Sequence, residues 1–254
     1  MAIDVNKIRE IAKRAGDEIL DVYNAGPVEV ELKSDNSPLT VADKRANRVI
    51  TDMLRSATPN IPVLSEEGRD IPWDERRNWQ RFWLVDPLDG TKEFIKRNGE
   101  FTVNIALIEN GRPVLGVIYV PVTDTLYAAD AEYGAVKSVN GGEPRAISVN
   151  TDVSDGLIIV RSRSHPSAEE DAFYRNVHVR SEIARGSSLK FCMIAEGLAH
   201  LYYRHGPTME WDTAAGHAIA EIAGARVTNP NGTDFVYNKP VLKNGPFIAS
   251  VIKL

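Results

Sequence analysis

Phe82-Trp83-Leu84-Val85 is an apolar run that stops abruptly at Asp86-Pro87-Leu88-Asp89-Gly90-Thr91. Such a run reads as a buried strand, and a buried strand ending in carboxylates delivers them to the rim of a sheet, where catalytic loops sit. Pro62-Val63-Leu64 repeats the device and stops at Ser65-Glu66-Glu67-Gly68. Two strand ends tipped with acid narrow the choice of fold. The rim of the sheet must tolerate clustered negative charge.

The surrounding pattern extends this reading. Val5, Ile8, Ile11, Ala15, Ile19 and Val22 recur at helical spacing up to Gly26-Pro27, and Val28 to Lys33 alternates as a half-exposed strand does. A polar loop is expected from Ser34 to Leu39. A second helix is expected from Thr40, with Val49, Ile50, Met53 and Leu54 on its apolar side. Phe101 to Glu109 and Pro113 to Pro121 read as strands joined by the turn signal Asn110-Gly111. Strands at 125–129, 134–139 and 144–149 continue the meander. After about residue 150 the rhythm changes. Leu157-Ile158-Ile159-Val160 is continuously apolar, and helices at 187–199 and 211–223 separate the later strands, which predicts a more parallel sheet. The expected class is therefore α/β, with an antiparallel α+β half over 1–150 and an α/β half over 151–254 acting as one compact unit.

Composition bounds the function. The chain has 254 residues, enough for one large domain or two halves sharing a core. Its 30 basic and 35 acidic residues give a net charge of −5, which argues against a duplex nucleic acid as partner. Cys192 is the only cysteine, so no internal disulfide forms, and no apolar run approaches a membrane span. A cytoplasmic location is expected, with peripheral attachment at the inner membrane left open.

The acidic residues carry the chemistry. Asp86 and Asp89 stand three apart across a Pro-bent backbone and can point at one place. Hard divalent cations take such oxygen ligands, and Gly90 lets the backbone approach a phosphate closely. Each acid also has a plainer role: an Asx-type turn at Asp86, a solvated loop at Glu66-Glu67, a helix cap at Asp212 in Trp211-Asp212-Thr213-Ala214-Ala215-Gly216. Thr40-Val41-Ala42-Asp43 likewise reads as a capping box. A haloacid-dehalogenase-type phosphatase would space its aspartates two apart, which argues against that class.

Taken in order, Glu66-Glu67, Asp86-Pro87-Leu88-Asp89-Gly90-Thr91 and Trp211 to Gly216 resemble the inositol monophosphatase superfamily of Mg²⁺-dependent, lithium-sensitive phosphatases. Lys92-Glu93-Phe94, Gly99 to Asn104 and Gly206-Pro207-Thr208 are most similar to its bacterial 3′(2′),5′-bisphosphate nucleotidase branch. The resemblance implies a layered αβαβα sandwich with the site between the halves. It implies two or three Mg²⁺ ions, one resembling a site of Glu66, Asp86 and the Leu88 carbonyl, a second one of Asp86, Asp89 and Asp212. It further implies a phosphate cradle at Leu88, Asp89, Gly90 and Thr91, with Glu66 and Asp212 also against the substrate. Asp43 and Thr91 would activate the attacking water.

By the same resemblance, His165, Ser187, Lys190 and Arg204 are candidates for the nucleotide and its 5′-phosphate; each is equally readable as an ordinary polar residue. Adenosine 3′,5′-bisphosphate is the expected substrate. Inositol monophosphate, fructose bisphosphate and a non-catalytic nucleotide sensor are the alternatives. Met209-Glu210, directly before Trp211, is more acidic than the branch pattern at that place.

Overall fold

The computed structural model describes residues 3–26, 30–32, 38–68, 70–164 and 167–253. Helix α1 (Val5–Asn24) leads to a ribbon of β1 (Val30–Leu32) and β2 (Pro38–Thr40), then to α2 (Val41–Ala57). The seven strands of the first sheet follow as β3 (Val63–Ser65), β4 (Arg81–Asp89), β5 (Thr102–Glu109), β6 (Arg112–Val120), β7 (Thr125–Asp130), β8 (Gly134–Val139) and β9 (Arg145–Ala146). Short helices α3 (Trp73–Arg76) and α4 (Thr91–Ile95) flank β4. Beyond lie β10 (Leu157–Ser162), α5 (Ala168–Tyr174), β11 (Val179–Arg185), α6 (Leu189–Ala195) and β12 (Leu201–Arg204). The chain ends with β13 (Thr208–Met209), α7 (Glu210–Ile222), β14 (Arg226–Thr228), β15 (Lys243–Asn244) and β16 (Phe247–Ser250).

Alternation along each strand explains the layering. In β4, Trp83 and Val85 face α1 and α2, whereas Phe82 and Leu84 face α6 and α7. Helix α1 presents Ile8, Ile11, Ala15 and Ile19 to the sheet, one apolar stripe of an otherwise charged helix. The second sheet, ordered β11-β10-β12-β16-β14, covers the far side of α6 and α7, and Tyr174 of α5 packs on its outer face. The stack is therefore an αβαβα sandwich. Helix α7 lies unusually close to β6. A Cβ at Gly116 would stand 2.4 Å from the Ala215 carbonyl, so only glycine admits the helix there.

Several expectations need correction. The polar loop to Leu39 is shorter, because Pro38 and Leu39 pair with β1; residues 33–37, together with 28 and 29, lie outside the described residues. The strand expected at 144–149 is only Arg145–Ala146. Beyond it Val149 N–H bonds the Ala223 carbonyl, drawing the chain off the sheet edge. The helix expected at 187–199 is only α6. Ser187 has φ 41°, and Gly197 at φ 75° ends the helix, with the Leu198 and Ala199 amides on the Met193 carbonyl. The second sheet is mixed: β10 runs parallel to β11 and β12, but β16 is antiparallel to both its neighbours.

Candidate active site

Strand β4 continues through its acidic end. A bulge between Asp86 and Asp89 breaks the ladder with β5, which resumes at Asp89 opposite Thr102. The Leu88 amide donates to Asp86 Oδ1 at 3.0 Å, the Asx turn that the sequence allowed. The turn bends the chain so that Gly90, at φ 90°, hands it directly to α4. A side chain at Gly90 would be strained and would stand 3.1 Å from the Glu100 carbonyl.

Glu66, Asp86 and Asp212 each bring a carboxylate oxygen within 4.8 Å of the others. They arrive from the ends of β3 and β4 and the first turn of α7. The Met209 amide donates to Asp212 Oδ2 at 2.8 Å, so Asp212 caps its helix while facing the cluster. Burial drives the Asp86 and Asp212 carboxyls well above the usual carboxylate range, and the neighbouring acids push them further. Asp89 stands beside this trio. Its Oδ2 accepts the Ser188 amide at 2.6 Å and Asn104 Nδ2 at 3.4 Å. Burial raises its pKa to about 6 even though Lys190 and the Ser188 N–H both pull it down.

Carboxyls held this far from their preferred state are a mismatch that a hard cation removes. An oxygen-only donor set, half-buried at a cavity edge, fits Mg²⁺ or a similar divalent ion. Asp43 is buried in α2, and Thr91 Oγ1 donates to its Oδ1 at 3.3 Å and to the Leu88 carbonyl at 3.4 Å.

A cavity of about 430 Å³ opens beside the cluster, and Glu66, Asp89, Gly90, Thr91, Ser187, Lys190, Arg204 and Asp212 contribute to its lining. Lys190 is buried, with Nζ donating to the Ser187 carbonyl at 2.5 Å, and burial lowers its pKa to about 8 against the opposing pull of Asp89. Arg204 pairs with the fully buried Glu170 at 3.6 Å. Arg163 grips Glu100 at 2.7 and 2.8 Å. His165 lies outside the described residues. Cys192 and His217 are packed in the core.

Sequence reasoning missed Ser188 and Asn104, the two groups on Asp89. The signal for Asn104 was its pairing opposite Asp86 in the β4–β5 register. Ser188 left none, because a backbone amide has no sequence signature. It also missed Glu93, a buried carboxylate of α4 that lines the cavity and accepts from Ser164 Oγ at 2.5 Å.

A five-layer sandwich with an acid-lined, cation-accepting cleft beside a turn that suits phosphate defines a class of metal-dependent phosphoesterases. Within it, the chain belongs to the inositol monophosphatase family, whose model matches residues 4–251. It is 52% identical over 235 residues to the 3′(2′),5′-bisphosphate nucleotidase CysQ of Escherichia coli K12, covering 92% of this chain and 93% of that one. The protein of the same name from Buchnera aphidicola is 45% identical, over 92% of this chain and 87% of its own. Among solved structures, CysQ from Bacteroides thetaiotaomicron superposes with a TM-score of 0.86 at 42% identity, covering 98% and 97% of the two chains. Among the described residues, no helix is long and apolar enough to cross a membrane.

Proposed function

We propose that this chain is a 3′(2′),5′-bisphosphate nucleotidase that hydrolyses the 3′-phosphate of adenosine 3′,5′-bisphosphate to AMP and phosphate. The observation that carries the reading is the convergence of Glu66, Asp86 and Asp212 beside a cavity whose wall holds Lys190 and Arg204. One end suits a cation-bridged phosphate and the other suits a second anionic group. The 52% identity to a protein named 3′(2′),5′-bisphosphate nucleotidase supports the same choice.

Glu66, Asp86, Asp89, Asp212 and the Leu88 carbonyl would hold two or three Mg²⁺ ions. Bound there, such ions neutralise charge on the phosphoryl oxygens and acidify water. The chain's own residues do the rest. The Leu88–Thr91 turn positions the phosphate, with the Gly90 backbone close against it. Thr91 Oγ1, whose proton points to Asp43, keeps lone pairs for the attacking water. The water's proton moves to Thr91 Oγ1 as the Thr91 hydroxyl proton passes to Asp43 Oδ1. The new O–P bond forms as the bond from phosphorus to the ribose 3′ oxygen breaks, that oxygen leaving with the electron pair and taking a proton from solvent, with no phosphoenzyme between. Ser187, Lys190, Arg204 and His165 bind the nucleotide and its 5′-phosphate. The two halves, 1–150 and 151–254, act as a single unit.

A substrate panel with released phosphate as the readout tests this. Turnover of adenosine 3′,5′-bisphosphate should require Mg²⁺ and exceed that of inositol 1-phosphate and fructose 1,6-bisphosphate. Equal or better turnover of either competitor would sink the assignment.

A further inference from the structure

Glu210 has an unusual setting in the structure. It opens α7, two positions before Asp212, and is fully buried. A carboxylate in that position is costly unless every lone pair finds a donor. Its donors come from a single loop. Oε2 accepts the Asn238 amide at 2.7 Å, while Oε1 accepts the Lys239 amide at 2.9 Å and the Lys239 ammonium at 2.7 Å.

The opposite side of that loop is held by a buried cation. Arg76 of α3 donates to the Asn238 side-chain carbonyl at 2.9 Å, the Lys239 carbonyl at 2.6 Å and the Pro240 carbonyl at 2.9 Å. Its own carbonyl accepts Asn238 Nδ2 at 2.9 Å, and its Nε bonds the Ile71 carbonyl. One short loop is thus bound on its amides by an anion and on its carbonyls by a cation. The anion sits at the root of the helix that carries Asp212. The cation sits ten residues after Glu66, on the segment that leaves β3. Glu66 and Asp212 come from distant parts of the chain yet must face one another within 4.8 Å.

We infer that Glu210 is a positioning residue for the metal cluster: with Arg76 it clamps loop 238–240 and fixes the start of α7, setting the Asp212 carboxylate against Glu66 and Asp86. The inference rests on the reading of that cluster as a cation site. Glu210 touches neither substrate nor ion. Repulsion among the clustered carboxylates tends to swing Asp212 outward. An unclamped helix start would let it relax into an arrangement that a cation must first reorganise. Groups supporting a metal's ligands commonly set its affinity by about 10–100-fold.

The test uses Mn²⁺ alone, titrated into metal-free protein and followed by its paramagnetic signal, beside Mg²⁺ half-saturation curves for activity. Glu210→Gln keeps the shape and removes the charge. It should weaken Mn²⁺ binding and raise the Mg²⁺ half-saturation by about 10-fold, with kcat at saturating Mg²⁺ within about twofold of wild type. Tyr174→Phe supplies a control for mere destabilisation. It deletes the hydroxyl that accepts the Tyr203 amide at 2.8 Å in the second sheet, and should lower the melting temperature without moving either metal constant. If Glu210→Gln does not fold, Arg76→Lys and Lys239→Met carry the same expectation from the other contacts of the loop. Unchanged Mn²⁺ affinity in the variants that fold overturns the inference. A wild-type protein that binds no Mn²⁺ would instead overturn the reading of the cluster.

Discussion

The two carboxylate oxygens of Asp43 serve two different partners. Oδ2 accepts the Thr40 amide at 2.8 Å and the Thr40 hydroxyl at 2.6 Å, which completes the capping box of α2. Oδ1 accepts the hydroxyl of Thr91, the first residue of α4, at 3.3 Å. Capping and water activation are therefore not rival roles. The cap holds the carboxylate so that its other oxygen is presented to Thr91.

This geometry determines what Asp43→Asn does. If the amide oxygen stays on the Thr40 N–H, the NH₂ faces Thr91 and donates where the carboxylate accepted. The Thr91 proton then has no acceptor at Asp43. The cap costs about 1 kcal/mol at most, whereas kcat should fall roughly 10²–10⁴-fold. Thr91→Val should fall by a similar factor, Thr91→Ser should recover much of it, and the double variant should be no worse than either single loss. Melting curves beside kcat separate the two effects. A destabilised but fully active Asp43→Asn enzyme would leave the residue only its cap.

The carboxylates proposed to hold metal should show function bought at the cost of stability. Asp89→Asn and Asp212→Asn each remove one charge from a buried cluster of like charges, so neither should lower the melting temperature of the metal-free protein. Both should abolish most activity, by about 10²-fold or more, as expected when charge stabilisation at a reacting phosphate is lost. For Asp89 the pH dependence follows from its raised pKa of about 6. Between an ordinary carboxylate value near 4 and 6 the folded state holds the extra proton, so the stability from this group is present at low pH and lost as pH rises. In EDTA, the melting-temperature advantage of Asp89→Asn over wild type should therefore widen from pH 4 to pH 7. A gap that stays constant or narrows would contradict the burial argument.

What could be read before the fold was known is what depends on neighbours in the chain. Helices α1, α2 and α7 were legible because apolar residues recur at helical spacing, and β5–β6 because Asn110-Gly111 turns tightly. The acids of the site were legible as types, since each ends a strand or starts a helix. What pairing across the fold decides was not legible. The Ser188 amide reaches Asp89 through the tertiary arrangement, from 99 positions further along the sequence. Glu210 and Arg76 meet through loop 238–240, and neither local pattern mentions the other. The antiparallel return of β16 was not legible for the same reason: the apolar run of β10 is the same whichever way β16 runs.

Lithium offers a test that rests on family membership rather than on any distance. Li⁺ should inhibit at concentrations of chloride salt that K⁺ leaves without effect, because a small, hard cation competes for oxygen ligands that a larger one fits poorly. Matched dose–response curves decide it. Superimposable curves would count against the cation site.

Lys190 is placed to serve either the substrate or Asp89, and the two roles separate experimentally. It is a buried ammonium whose pKa is lowered to about 8, with Asp89 as its largest stabilising charge. If its task is to balance Asp89, Lys190→Met should lower kcat for every substrate by a similar factor. If it grips the 5′-phosphate, the loss should fall on KM, and only for substrates that carry that group. A charge-assisted bond worth about 1.5–3 kcal/mol then corresponds to roughly 10–100-fold in KM. Adenosine 3′-phosphate, which lacks the second phosphate, should be hydrolysed by the variant almost as well as by wild type. The pH profile gives an independent readout. Raising pH through 8 removes the proton from Lys190 in the free enzyme. kcat/KM for the bisphosphate should therefore fall above pH 8 in wild type, and the fall should be absent in Lys190→Met. Equal losses on both substrates, with an unchanged alkaline limb, would assign the lysine to Asp89 and leave Arg204 to bind the second phosphate.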